Sequence, residues 1–397
     1  MIKYISEIML KDKEGNVLKK VYLDSASTYL KNWKIIKEVI GELEEIDANP
    51  HSNHTMGKTI KGKIEKVRKQ IAEYINCNYE DIFYISGGTE GNNMVFNYIF
   101  NKYSSRIANG ESFDILTSNM EHESVLSSLE RLKESGFNII YVDTDKYGRV
   151  DIEDLKKKLS SKTVLVSIMA ANNETGVLNP IKEVSELIAD KNILLHSDIV
   201  QALGKVEIDV KELGLDFASA SAHKIGSLNN FGFLYAKDGD VEPLLLGGGQ
   251  ENGLRSGTTD LLGILVLNDC LSETLNSIPA LRELKNYFIS ELEKNEVEFE
   301  VNGSIENSLP NILNIYFKNI EAQRLITYLD ARDIYISGGS ACSSGNIKGS
   351  RIITEMYNIE RAAHSVRMSV GFDTSKKLID EVIEKIVTLE QRIKERN

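Results

Sequence analysis

An α/β fold on a mainly parallel sheet of seven strands is what three features of the 397-residue sequence predict. Short β-rich runs recur through the first two thirds of the chain, helical patterns interleave with them, and the register changes after about residue 262. The runs are "FYIS" (83–86), "DILTS" (114–118), "IIYVD" (139–143), "TVLVSIMA" (163–170), "ILLHSD" (193–198), "FASASA" (217–222) and "GFLYA" (232–236). Between them apolar residues recur every three or four positions, as in Ile60, Ile64, Val67 and Ile71 and in "IKEVSELIAD" (181–190), which is the period of a helix with one buried face.

The remainder reads as long helices with a few strands ("FEVNG", "NILNIYF") and ends in "TSKKLIDEVIEKIVTLEQRIKER". There Leu378, Val382, Ile386 and Leu389 form one apolar stripe behind a Thr374 or Ser375 cap. The expected organisation is a large domain over 22–262, a smaller α+β domain over 263–397, and residues 1–21 as an arm with a hairpin around "KDKEGN".

Composition narrows the partners. A hydrophobic share of 42% over this length supports more than one core. A formal charge of −12 argues against nucleic acid or an anionic membrane, both of which demand clustered Lys and Arg. Cys77, Cys270 and Cys342 are odd in number, far apart and without a CxxC pair, which argues against a disulfide framework or a zinc ribbon. The N-terminal stretch lacks an apolar run of signal-peptide length, and "TVLVSIMAA" falls short of the ~18 residues of a membrane span. The expected location is the cytoplasm, with thiols reduced.

In an open parallel sheet, ligands bind beyond the carboxyl ends of the strands. Here "FYIS" leads into "GGTEGNN", "DILTS" into "NMEHES" and "TVLVSIMA" into "ANNETG". "ILLHSD" ends on Asp198 with Gln201 one turn on, and "FASASA" runs into His223 and Lys224. "SGGTEGNN" (86–93) has the makings of an anion cup, with glycines for close backbone approach and a helix N-terminus behind them, although taken alone it reads first as an ordinary strand-to-helix turn. It matches neither the P-loop nor GxGxxG. Lys224, at a strand end among small residues, is suited to become a nucleophilic amine. An anion cup, a Schiff-base lysine and an acid on the neighbouring strand, Asp198, together make the set that holds pyridoxal phosphate.

These residues resemble the class V aminotransferase branch of the pyridoxal-phosphate enzymes, of aspartate aminotransferase-like fold (fold type I), and within it the cysteine desulfurases. The resemblance runs from "YLDSAST" (22–28) almost to the end. It is carried by "NPHSNH" (49–54), "SGGTEGNN", "EHES" (121–124), "NNETG" (172–176), "HSDIVQALGK" (196–205), "SASAHK" (219–224), "GGGQENGLRSGT" (247–258), "GGSACSSG" (338–345) and "SVRMSVG" (365–371). It implies that Lys224 carries the Schiff base, Asp198 faces the pyridine nitrogen, and Gln201 and Asn173 lie near the ring hydroxyl. It further implies that His122 stacks on the ring and moves protons, and that Gly88, Thr89, Ser221 and His223 hold the phosphate. Thr258 would reach the phosphate of a neighbouring subunit in a homodimer, and Arg367 would clamp the substrate carboxylate with its planar fork.

Cys342 lies in "SGGSACSSG" (337–345), a run with no large side chain to bury a sulfur, and its glycines and serines let the backbone move. The resemblance gives it the task of taking sulfur from L-cysteine, leaving L-alanine and a persulfide for a protein acceptor, either an iron–sulfur scaffold or a tRNA-thiolation protein. Two alternatives stay open: selenocysteine cleavage or another β-elimination or transamination on the same cofactor, and a weakly active sulfur-transfer scaffold. The second is motivated by Ser227–Asn230, which replaces the family's Gly-Pro-Lys-Gly turn at the same length and where Asn229 and Asn230 would adopt the positive φ. Cys77 and Cys270 read as core residues, and His51, His54, His196 and His364 as hydrogen-bonded structural histidines. Glu90 and Glu174 read as structural carboxylates.

Overall fold

The computed structural model describes residues 10–11, 17–18, 20–46, 48–339 and 349–395. At the start, β1 (Leu10–Lys11) and β2 (Val17–Leu18) pair antiparallel and β3 (Val21–Tyr22) follows. The main sheet has seven strands: β4 (Ile82–Ile85), β5 (Asp114–Ser118), β6 (Asn138–Val142), β7 (Thr163–Ser167), β8 (Leu194–Asp198), β9 (Phe217–Ser221) and β10 (Gly232–Ala236). Their spatial order is β4-β10-β9-β8-β7-β5-β6, and β10 alone runs against its neighbours.

Strands β4, β5, β7, β9 and β10 are buried along their whole length, as strands covered on both faces must be. On one face lie Ile60, Ile64, Val67 and Ile71 of the helix Thr55–Ile75, together with the first turns of the helix Leu261–Lys294. On the other lie Met94, Val95 and Ile99 of Gly88–Ala108, and Val125 and Leu129 of Glu123–Glu134. The chain steps from β5 outward to β6, then returns past β5 to β7 and continues the opposite way, so the topological switch point falls between β5 and β7. The residues after those two strands therefore border a crevice.

A second, antiparallel sheet runs β11-β12-β14, from β11 (Phe299–Val301) and β12 (Ile312–Phe317), with β14 (Ser365–Ser369) on the far side of β12. Between them in sequence, β13 (Ile334–Tyr335) pairs parallel with β3. The last helix, Lys376–Lys394, is capped by Ser375, whose side chain accepts from the Leu378 amide, and it buries Leu378, Val382, Ile386 and Leu389. The sequence marks no strand at β3, β13 or β14. Two residues are too few to show a period, and "SVRMS" carries an arginine in mid-strand.

Helix Leu261–Lys294 serves both cores: Ile264, Leu267 and Leu271 pack in the first, and Leu281, Phe288 and Leu292 in the second, with Pro279 between. By length and composition alone it could cross a membrane, yet its apolar side chains are the ones that fill these two cores.

Candidate active site

The carboxyl ends of β4, β5, β7, β8 and β9 open on one cavity of about 520 Å³. Its wall brings together Gly88, Thr89, His122, Asn173, Asp198, Gln201, Ser221, His223, Lys224 and Arg367. At the β4 end, Gly87 caps the helix Gly88–Ala108 with φ 141°, a conformation that strains any residue bearing a Cβ. The helix thus starts on the glycines themselves, earlier than its apolar part suggests. Its first amides have no acceptor inside the helix, and Thr89 and Ser221 stand beside them with hydroxyls. A Cβ on Gly88 would lie 2.5 Å from Val200 Cγ2, so glycine is what lets this turn sit against the loop after β8.

Asp198, the last residue of β8, has both carboxylate oxygens engaged. Oδ1 accepts from the Val200 amide at 3.0 Å, and Oδ2 from Asn92 Nδ2 at 2.9 Å. Asn92 is one turn past Gly88 on the same helix face and is fully buried. His122 follows β5 and caps the helix Glu123–Glu134: its Nδ1 accepts from the Ser124 amide at 3.2 Å and lies 2.8 Å from Ser124 Oγ. Gln201 Nε2 donates to the Ala26 carbonyl at 2.9 Å.

Lys224 stands one turn beyond β9. Its Nζ donates to the carbonyls of Ala26 and Ser27, each at 2.7 Å. Beneath it lies Lys205, fully buried, whose Nζ donates to the Lys224 carbonyl at 2.7 Å and sits 5.7 Å from the centre of the Tyr29 ring. Burial pushes the Lys205 amine down to about 7, and the nearby Lys224 charge acts in the same direction. Burial and the cations of Lys224, Lys31 and Lys205 push His223 down to about 3, so its ring is neutral at ordinary pH. An anion bound beside it would act in the opposite sense.

Arg367 comes from β14 and is 1% exposed. Its guanidinium donates to the Asn173 carbonyl at 2.8 Å, to Asp24 Oδ1 at 2.8 Å and to Ser27 Oγ at 2.5 Å. Asn173 therefore touches the arginine through its main chain. Sequence reasoning missed Asn92, Ser124, Lys205 and Glu121. Glu121 is buried beside His122, accepts from Ser118 Oγ at 2.7 Å and from the Met169 amide at 3.0 Å, and is pushed up to about 8 by burial.

Other expected residues lie elsewhere. Thr258 borders a separate small pocket with Tyr84, Arg255 and Asp260. Its loop is tied down by a bidentate Arg68–Glu251 pair at 2.8 and 2.9 Å and by Arg255–Glu90 at 3.1 Å. Glu90 also accepts from the Ser86 amide at 2.7 Å; burial raises its pKa, but these bonds outweigh it and hold the carboxyl below the usual range. Cys342 lies outside the described residues. In the turn after Lys224, Asn230 takes the positive φ, 55°, together with Gly226, whereas Asn229 does not and instead accepts from Lys31 Nζ at 2.8 Å. His196 is a core histidine, bonded to Ser167 and pushed down to about 4 by burial. His54 caps a helix, His364 lies 3.2 Å from the Phe317 carbonyl, and His51 is exposed. Glu174 is buried and bonds Ser350.

A family model described as class V aminotransferase matches residues 21–382. Cysteine desulfurase IscS of Dictyoglomus turgidum is 36% identical over 384 residues, covering 94% of this chain and 96% of that protein. A solved NifS-like protein superposes with a TM-score of 0.84 at 30% identity, over 93% of this chain and 99% of that one. Another, SspA solved in complex with cysteine, gives a TM-score of 0.77 at 26% identity over 88% and 98% of the two chains. With its fold, the order of its motifs and this likeness over nearly its whole length, the chain belongs to the class V aminotransferase family and, within it, to the cysteine desulfurases.

Proposed function

We propose that the chain holds pyridoxal phosphate on Lys224 and uses it to convert L-cysteine to L-alanine, with the sulfur carried away as a persulfide on Cys342. The observation that carries this reading is the meeting, in one cavity, of a lysine amine, a doubly hydrogen-bonded carboxylate, a helix N-terminus and a buried arginine. The residues fit the cofactor. Among the described residues, Gln201 Oε1 and Arg367 Nε are buried in the cavity wall without a partner, as suits groups awaiting polar atoms of a ligand.

Lys224 would hold the cofactor's aldehyde carbon, Asp198 its ring nitrogen, and Gly88, Thr89, Ser221 and His223 its phosphate, with Thr258 reaching the phosphate of a partner subunit. When bound, the group supplies an electron sink for the substrate carbons. Arg367, with Asn173 beside it, receives the substrate carboxylate. The Cys342 thiolate attacks the substrate sulfur: an S–S bond forms, the substrate C–S bond breaks, and the carbon keeps the electron pair and takes a proton, giving alanine. The same reading makes the enzyme a cytoplasmic homodimer that passes sulfur to an acceptor protein, either an iron–sulfur scaffold or a tRNA-thiolation protein.

Incubation with L-cysteine and a reductant, scoring alanine against pyruvate, tests the reaction, and mass spectrometry of the Cys342 peptide tests the carrier. Alanine with one added sulfur on that peptide is expected. Pyruvate without it would replace this reading with β-elimination, and neither product would leave a scaffold. Cys342→Ala is expected to stop sulfur release from cysteine; retention of it would remove Cys342 from the reaction.

A further inference from the structure

Asn92 raises a question of cost. Its side chain is fully buried, yet Oδ1 has no partner among the described residues, a state that costs about 1–3 kcal/mol and that leucine of similar size would avoid. The compensation lies in its two N–H bonds, one to Asp198 Oδ2 and one to Ser124 Oγ, both at 2.9 Å. Turning the amide over would aim a carbonyl at the Asp198 carboxylate, so the orientation is fixed by charge.

The proton inventory then runs in one direction. Ser124 Oγ receives a proton from Asn92, which directs its own hydroxyl proton to His122 Nδ1, 2.8 Å away. The Ser124 main-chain N–H, which can only donate, reaches the same nitrogen at 3.2 Å. A ring nitrogen that accepts carries no proton, so the proton of neutral His122 is on Nε2.

We propose that Asn92 and Ser124 are positioning residues that tie the orientation of Asp198 to the tautomer of His122, so that one string of hydrogen bonds sets two walls of the cofactor site. The neutral ring thereby offers a proton at Nε2 and has no lone pair there. It serves as a donor to the cofactor or substrate, and takes up a proton only on its Ser124 side. The role of His122 toward the cofactor rests on the function proposed above; the tautomer does not.

The test is nitrogen-15 NMR of histidine-labelled protein, with and without pyridoxal phosphate, the His122 signals being assigned by their loss in His122→Gln. The expected state is an unprotonated Nδ1 and a protonated Nε2. Ser124→Ala and Asn92→Leu are expected to mix the tautomers, and Ser124→Thr, which keeps the hydroxyl, to restore the first. With cofactor, Ser124→Ala should lower kcat for alanine formation about ten-fold with KM for cysteine little changed, a fraction of what a full proton donor contributes. A neutral His122 ring carrying its proton on Nδ1 in the native chain, or a tautomer indifferent to Ser124→Ala, overturns the proposal. Should Asn92→Leu not fold, the alanine and threonine variants at 124 decide alone. The expected tautomer without alanine from cysteine would sink the proposed reaction and leave this string standing.

Discussion

The two sheets supply the cavity in different ways. The seven-stranded sheet gives residues that follow its strands: His122 after β5, Asn173 after β7, Asp198 at the end of β8 and Lys224 after β9. The three-stranded sheet gives Arg367 from the middle of β14, where alternation sends Val366 and Met368 into the second core and the arginine to the opposite face. A parallel sheet packed on both faces has room for polar chemistry only at its edge. An antiparallel sheet can spare one whole face for it. The first arrangement suits the holding of a large cofactor by many backbone and side-chain groups, and the second suits one rigidly aimed charge.

Removing the strand-end amine sharpens this contrast most. Lys224→Ala is expected to abolish fixation of the cofactor by borohydride and to lower alanine formation by about 10⁴-fold or more. Ordinary fixation in that variant would show another lysine in the role, and Lys205, buried beneath it, would be the one to examine.

The mid-strand charge should fail differently. Arg367→Lys keeps the charge but cannot reach Asp24, Ser27 and the Asn173 carbonyl together with a single ammonium. The cost of a lost charged hydrogen bond, about 1.5–3 kcal/mol, corresponds to a fall in kcat/KM for cysteine of up to about 10²-fold. The cofactor's absorbance should be unchanged. A variant that loses the cofactor as well as cysteine affinity would show that the two sheets do not divide the work in this way.

The same contrast explains what was legible in the sequence. Following each strand to its end finds His122, Asp198 and Lys224, because strand ends carry a periodic signal and a change of composition. Arg367 shows no such signal, and only the likeness of "SVRMSVG" to its family marked it. Asn92 was visible in part: four residues after Gly88 on a helix it must face the same way, but its bond to Asp198 depends on how far that helix lies from β8. Lys205 was hidden, since in sequence a lysine after "ALG" is indistinguishable from a solvated one. Its burial follows from the packing of Tyr29 and of the turn after β9 around it.

Lys205 is expected to act on stability and not on turnover, with a sign set by its burial. Its amine titrates at about 7 in the folded chain against an ordinary value of 10.5. Below pH 7 it is charged whether the chain is folded or not, and the full cost of burying that charge is present. Between 7 and 10.5 the unfolded chain binds a proton that the folded chain lacks, so raising the pH favours the folded state, by at most about 1.4 kcal/mol per pH unit. Lys205→Met has no such group, while Lys224, the nearest cation, remains in both proteins. Urea unfolding of the cofactor-free proteins from pH 7.5 to 9.5 should therefore show the native chain gaining stability on the variant as pH rises. Parallel curves would mean that Lys205 stays charged in the folded chain, a buried cation resting on the Lys224 carbonyl while the Lys224 amine holds the carbonyls of Ala26 and Ser27.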